Sequence, residues 1–311
     1  MTKQQRAKTH RDTIKYMRQH WQIYILLVVP VLYLLVFKYY PMLGTQIAFK
    51  KFRSSLGIWG SEWVGLANFI KFFKSYQLPR VLSNTLIISF YQLVAGWPFP
   101  IILALLLNTL GGKKFKRLVQ TTTYLPYFIS IVVLVGMLQQ ILNPTIGIYG
   151  KLYFKIVGSP APDLLGQSSV FRHLYVWSGI WQHMGFNSII YFAALSSVSP
   201  ELHEAALIDG ASRFKRVLHI DIPAIVPTMT ILLILNAGRI MSVGFEKAFL
   251  MQNDLNLRTA EVISTYVYKV GLSYGDFSYG TAIGLFNSVI NLALIFTVNK
   301  ICRKMGDTSL W

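Results

Sequence analysis

The sequence predicts an all-α membrane protein with six transmembrane helices, and three observations carry that prediction. Of the 311 residues, 53% are hydrophobic and only 14% charged, which is too apolar and too charge-poor for an ordinary soluble domain. Apolar runs close to the roughly twenty residues needed to cross a hydrocarbon core recur near 22–42, 83–108, 118–142, 173–196, 223–244 and 281–301. The basic residues, which give a formal net charge of +18, flank those runs instead of forming one dense stripe. Membrane topology accounts for that placement, and nucleic-acid binding does not.

Lys3, Arg6, Lys8, Arg11, Lys15 and Arg18 precede the first run, "YILLVVPVLYLLVFKYYPM", which is too long for a cleaved signal sequence and reads as a retained helix. Six crossings put both termini on one side. With that side cytoplasmic, segments 1–21, 109–117, 197–222 and 300–311 hold 16 Lys/Arg in 68 residues, against 12 in 104 for 43–80, 143–172 and 245–280. This bias predicts cytoplasmic termini. The first outer loop runs against it, with Lys50, Lys51, Arg53, Lys71, Lys74 and Arg80. Trp59, Trp63, Phe69, Ile70 and Phe73 lie among them, as in an amphipathic piece at the interface with snorkelling basic side chains. The chain divides into 1–80 (basic terminus, first helix, outer loop), a domain at 81–301 holding the other five helices, and a tail at 302–311.

Several spans carry groups that hydrocarbon penalises: Gln92 and Pro98, then Gln139 and Gln140, then Gln182, His183 and Asn187, then Asn236 and Arg239, then Asn287 and Asn291. Each is either interhelical glue or part of a polar path. Arg239, a permanent charge, points to a cavity.

The chemistry that is missing narrows the function. No GxxxxGK[ST] phosphate loop is present, and "GGKK" at 111–114 is a basic turn. The six histidines form no HExxH pair, no GxSxG elbow occurs, and Cys302 is the only cysteine. The chain predicts no enzyme activity, metal or cofactor of its own.

Residues 197–222 form a polar insert between the fourth and fifth runs. Ser199 can cap a helix that has Pro200 at its first position and Glu201 and Glu204 in its early turns, and Gly210 can end it with positive φ. Ser212 can cap a second helix with Phe214, Val217 and Leu218 on one side, and Pro223 then opens the fifth span. Such a two-helix knob is either a docking element or a hairpin packed on the protein's own cytoplasmic face.

This stretch, "EAALIDGASRFKRVLHIDIP", resembles the EAA motif of binding-protein-dependent ABC importer permeases. Glu204, Ala205, Ala206, Gly210, Ile220 and Pro223 match, with Ile222 in place of leucine. "WVGLANFIKFF" (63–73), "LSNTLIISF" (82–90), "LALLLNT" (103–109), "YLPYFIS" (124–130) and "ILNPTIGIYG" (141–150) look like the carbohydrate-uptake, maltose-permease branch. "AEVISTYVYKVGL" and the closing "SLW" are similar to Gram-positive polysaccharide and oligosaccharide permeases.

The resemblance implies a type I ABC importer permease fold with 81–301 as the permease domain. It also implies a coupling-helix loop in which Glu204, Ala205, Ala206, Gly210, Phe214, Ile220 and Pro223 dock an ATPase. The implied partners are a second permease subunit, two ATPase subunits that hold ATP and Mg, an extracytoplasmic solute-binding lipoprotein, and an oligosaccharide. The maltose-type sugar path carries over onto Tyr127, Ile131, Gly179, Gln182, His183, Phe186, Asn236, Arg239, Ile240 and Val243. There Tyr127 and Phe186 are expected to stack on sugar rings, and Gln182, Asn236 and Arg239 to hydrogen-bond them. Arg239 hints at an acidic sugar, or else is the counter-charge of Glu246 two turns on. A non-sugar solute and a membrane enzyme acting on lipid-linked sugars are the alternative functions.

Overall fold

The computed structural model of the chain describes residues 16, 19–238, 241 and 243–305. Helix α1 (Trp21–Leu34) continues through a π-helical turn and a 3-10 stretch to Phe49, with no buried residue in its first fourteen, as a lipid-facing helix requires. A two-stranded antiparallel ribbon, β1 (Lys50–Lys51) and β2 (Glu62–Trp63), is the one departure from an all-helical chain among the described residues.

Next come α2 (Ala67–Phe73), α3 (Gln77–Gly96) and α4 (Pro98–Thr109). The last two form a single stretch of 33 residues, because Trp97 keeps helical backbone angles and Pro98 sits at a first-turn position. The 118–142 run, expected to be one straight span, is bent by 99° between α5 (Lys113–Tyr124, extended by a 3-10 turn to Phe128) and α6 (Ile131–Ile141). Pro126 lies in the 3-10 turn, and Ser130, in extended conformation, restarts the chain by accepting a hydrogen bond from Val133 N at 3.3 Å. After α7 (Ile148–Val157), the 29-residue α8 (Ser168–Ser196) runs through the middle of the bundle against α3 and α4.

Helix α9 (Pro200–Ile208) is followed by α10 (Arg213–Ala237), then α11 (Phe245–Met251), α12 (Ile263–Tyr268) and α13 (Phe277–Met305). Pro223 sits in the first turn of the α-helical stretch Ile222–Ala237, as expected, but the backbone before it is already helical. It lies inside α10, just after a π-helical turn at Val217–Asp221. The fifth span, predicted to reach 244, ends at Ala237, and Phe245 begins a separate helix.

Among the described residues, four stretches are long and apolar enough to cross a membrane: Trp21–Phe49, Gln77–Thr109, Arg213–Ala237 and Phe277–Ile301. The bent pair α5 and α6 makes a fifth if counted as one span. The predicted run at 173–196 lies in α8, which has the length but is not among the apolar stretches. Arg172, His173, Gln182, His183 and Asn187 lower its hydropathy. One face packs on protein along its length: Phe171, Tyr175, Val176 and Ile180 form one core with Ile88 of α3, Val135 of α6 and Ala248 of α11, and Tyr191 and Leu195 form another with Ala104 of α4 and Ile225 of α10.

The ends of the bundle are tied separately. At one end three of the basic residues that broke the charge pattern have partners: Lys71 pairs with Asp276 at 2.7 Å, and Arg80 pairs with buried Glu261, whose other oxygen lies 3.6 Å from Lys269. Lys50 Nζ donates to Ile58 O at 2.7 Å between Trp59 and Trp63. So Lys50, Lys71 and Arg80 are held by protein groups and do not simply snorkel. At the other end Asn108, His203 and Asp221 meet.

Candidate functional site: a polar cavity and an exposed knob

The knob is built by local rules. Pro200 starts α9 after Ser199, which is extended but makes no side-chain cap bond. Gly210 takes φ +75°, while Ala211 N donates to Ala206 O at 2.8 Å and Gly210 N to Leu207 O at 3.0 Å. Together these close the helix in a Schellman turn. Ser212 Oγ then accepts from Lys215 N at 3.4 Å and starts α10.

No residue of α9 is buried, and Leu202, Leu207, Ile208 (87% exposed) and Phe214 (75%) display apolar surface. Glu204, Ala205, Gly210 and Pro223 are exposed, and Ala206 and Ile220 half-buried. The hairpin therefore does not bury its faces on its own chain.

One anchor, which the sequence reading missed, fastens it to the bundle. Asp221 is 2% exposed, its Oδ1 lies 3.3 Å from His203 Nε2 of α9, and it accepts from Asn108 Nδ2 of α4 at 3.2 Å. Only the contact of elements far apart in sequence reveals it.

Within the bundle, a cavity of about 440 Å³ lies between α3, α4, α8 and α10, lined among others by Gln92, Gly179, His183, Asn187, Asn236 and Val243. Its volume is within the roughly 300–1,000 Å³ of small-molecule sites. Of the ten path residues, Gly179, His183, Asn236 and Val243 are brought together here, and Gln92 and Asn187, noted only as polar span residues, join them. His183 Nδ1 lies 3.0 Å from Gly179 O, so the ring is held against its own helix.

The other path residues have different roles. Tyr127 and Phe186 stack on each other, with centroids 3.8 Å apart and planes at 6°, so each occupies the face expected to meet a sugar. Gln182, 3% exposed, donates to Ile129 O at 2.8 Å and pins the bend between α5 and α6. Ile131 packs against the core at the start of α6. Arg239 and Ile240 lie outside the described residues, and with them the choice between sugar contact and ion pair for Arg239. Asn291 is structural, since its Oδ1 accepts from Met241 N at 3.1 Å.

A helical bundle with lipid-facing spans around a polar cavity defines a membrane transport component. The profile described as "Binding-protein-dependent transport system inner membrane component" matches residues 96–306, and the chain belongs to that family. It is 41% identical over 294 residues to Protein LplB of Bacillus subtilis (strain 168), covering 94% of this chain and 92% of that one. It is 39% identical over 306 residues to the polygalacturonan/rhamnogalacturonan transport system permease protein YteP of the same organism, covering 98% and 95%. Among solved structures, a chain of a bacterial alginate ABC transporter, crystallised in complex with an alginate pentasaccharide-bound periplasmic protein, superposes with a TM-score of 0.87 and 37% identity over 95% of this chain and 99% of that one. The family description and the name of YteP both denote a membrane component of a transport system, not an enzyme.

Proposed function

We propose that the chain is one of two permease subunits of an ATP-driven importer that carries an oligosaccharide inward across the cell membrane. The substrate class is supported by the sugar named for YteP and for the alginate transporter. In this reading residues 81–301 are the permease domain, and α8 and the bent pair α5–α6 complete six crossings. Both termini are cytoplasmic, flanking the domain with segments 1–80 and 302–311. An extracytoplasmic binding protein delivers the sugar, and two ATPase subunits hold the ATP and Mg that this chain has no motif for.

Coupling runs through the knob at 200–223, and the exposed apolar surface around Gly210 is the observation that carries this part. Glu204, Ala205, Ala206, Gly210 and Phe214 seat in the ATPase, and its closure moves α10 through the continuous helix from Arg213. That movement biases the bundle between inward-open and outward-open states. The sugar passes the cavity wall at Gly179, His183, Asn236 and Val243, while Tyr127, Ile131, Gln182 and Phe186 shape the adjoining bend. Arg239 and Ile240 belong to the same path.

Glu204→Lys and Gly210→Asp are expected to leave the chain in the membrane at normal amounts and to abolish uptake of labelled oligosaccharide by intact cells. Uptake at the wild-type rate in either variant overturns the coupling assignment.

A further inference from the structure

Lys247 of α11 is 6% exposed, and among the described residues no carboxylate lies within ion-pair distance of it. Its Nζ donates to Tyr175 O at 2.8 Å and stands 4.8 Å from the centre of the Tyr175 ring, contacts that leave further donors of the amine unused. A buried lysine amine without a counter-ion is costly as a cation, and an anion brought beside it would hold its proton in place.

The neighbour in front of the amine is Gly179, a wall residue of the cavity. A Cβ on Gly179 would lie 3.2 Å from Lys247 Nζ and 3.9 Å from Gln92 Nε2. The missing side chain is thus a gap between the lysine and the polar face formed by Gln92 and His183. Any larger residue there would screen the amine from the cavity.

We infer that Lys247, reached through the gap at Gly179, is a specificity-determining residue that recognises the carboxylate of an acidic sugar unit in the cavity. The inference rests on the oligosaccharide path proposed above. A uronate carboxylate accepts from the Lys247 ammonium and from Gln92 Nε2, while the hydroxyls of the ring meet Asn236 and Asn187.

The test is equilibrium binding to the complete permease–ATPase complex in lipid nanodiscs, with two probes of equal length: an alginate pentasaccharide and the same molecule with its carboxyl groups reduced to alcohols. The wild-type complex is expected to favour the acidic probe. Lys247→Met is expected to lower the ratio of affinities for acidic over neutral probe roughly tenfold, the loss of one charge-assisted hydrogen bond. Lys247→Arg is expected to retain the preference in part. Gly179→Ala keeps the lysine but narrows the gap, and is expected to lower the same ratio, which keeps the inference testable if Lys247→Met does not assemble. No acidic preference in the wild type, or an unchanged ratio in both Lys247→Met and Gly179→Ala, overturns the inference. His183→Ala and Asn236→Ala separate the two levels. If they leave both affinities unchanged, the path itself is wrong. If they weaken both probes while the Lys247 ratio stands still, only the lysine assignment falls.

Discussion

Gly185 shows how little room α8 has. A Cβ placed there would lie 1.9 Å from Thr123 O, a backbone atom of α5 that cannot swing away. The two helices touch because this position has no side chain, and the contact holds the bend at 125–130 in place. Gly185→Ala is therefore an overpacking change, expected to cost about 1–3 kcal/mol and to lower the melting temperature of the purified complex. A melting curve that superimposes on the wild type would show that α5 yields freely. Gly210 is the opposite case: open space surrounds it and only its φ is special, so its replacement strains the backbone without a clash. Gly210 announces itself in the sequence by its place at a helix end, whereas Gly185 lies within a long run and only its neighbour across the helix interface reveals its role.

At the scale of elements, the knob was legible because its signals are local: a proline at a helix start, a glycine at its end, a serine before the next turn. The 99° bend was not, because "YLPYFIS" is as apolar as a straight span and the bend depends on Gln182 reaching Ile129 from another helix. The aromatic pair Tyr127 and Phe186 was legible as two rings at one depth but not as a stack, since stacking depends on the distance between α8 and the 3-10 turn. The anchor at Asp221 also needs three elements at once. Asp221→Ala leaves His203 Nε2 and Asn108 Nδ2 without their acceptor, a cost of about 1–3 kcal/mol concentrated where α9 meets the bundle. The expected outcome is ATP hydrolysis that continues in the assembled complex while sugar uptake falls several-fold, because α9 is no longer tied to α10 and α4 and part of the knob's motion is lost. Uptake and hydrolysis that fall in proportion would instead mean that the complex no longer assembles.

For the whole molecule, each end of the bundle is closed on one buried carboxylate: Asp221 at the knob end and Glu261 at the other, both 2% exposed. Glu261 binds Arg80 at the start of α3 and Lys269 just after α12, while the Asn84 side chain donates to Glu261 O at 3.0 Å and accepts from Arg172 Nη2 at 2.8 Å. Residues separated by more than 170 positions meet there, which is why Arg80 looked misplaced in the sequence. In the rocking bundle proposed above, this cluster would tie the start of α3 and the 245–280 segment into one body. Glu261→Gln removes the charge but keeps the shape, leaving Arg80 and Lys269 facing each other without their shared acid. Both bases keep partial solvent access, so the expected loss is about 1–2 kcal/mol, read as a lower melting temperature whose deficit grows at low ionic strength, where the two like charges are least screened. Arg80→Met combined with Glu261→Gln should recover part of that loss, since the double variant removes the unpaired charge together with its partner. A double variant whose melting deficit equals the sum of the two single deficits would show that the cluster holds shape without electrostatic coupling, and that this end of the bundle is held by the packing of Phe72, Val81, Ile263 and Tyr279 alone.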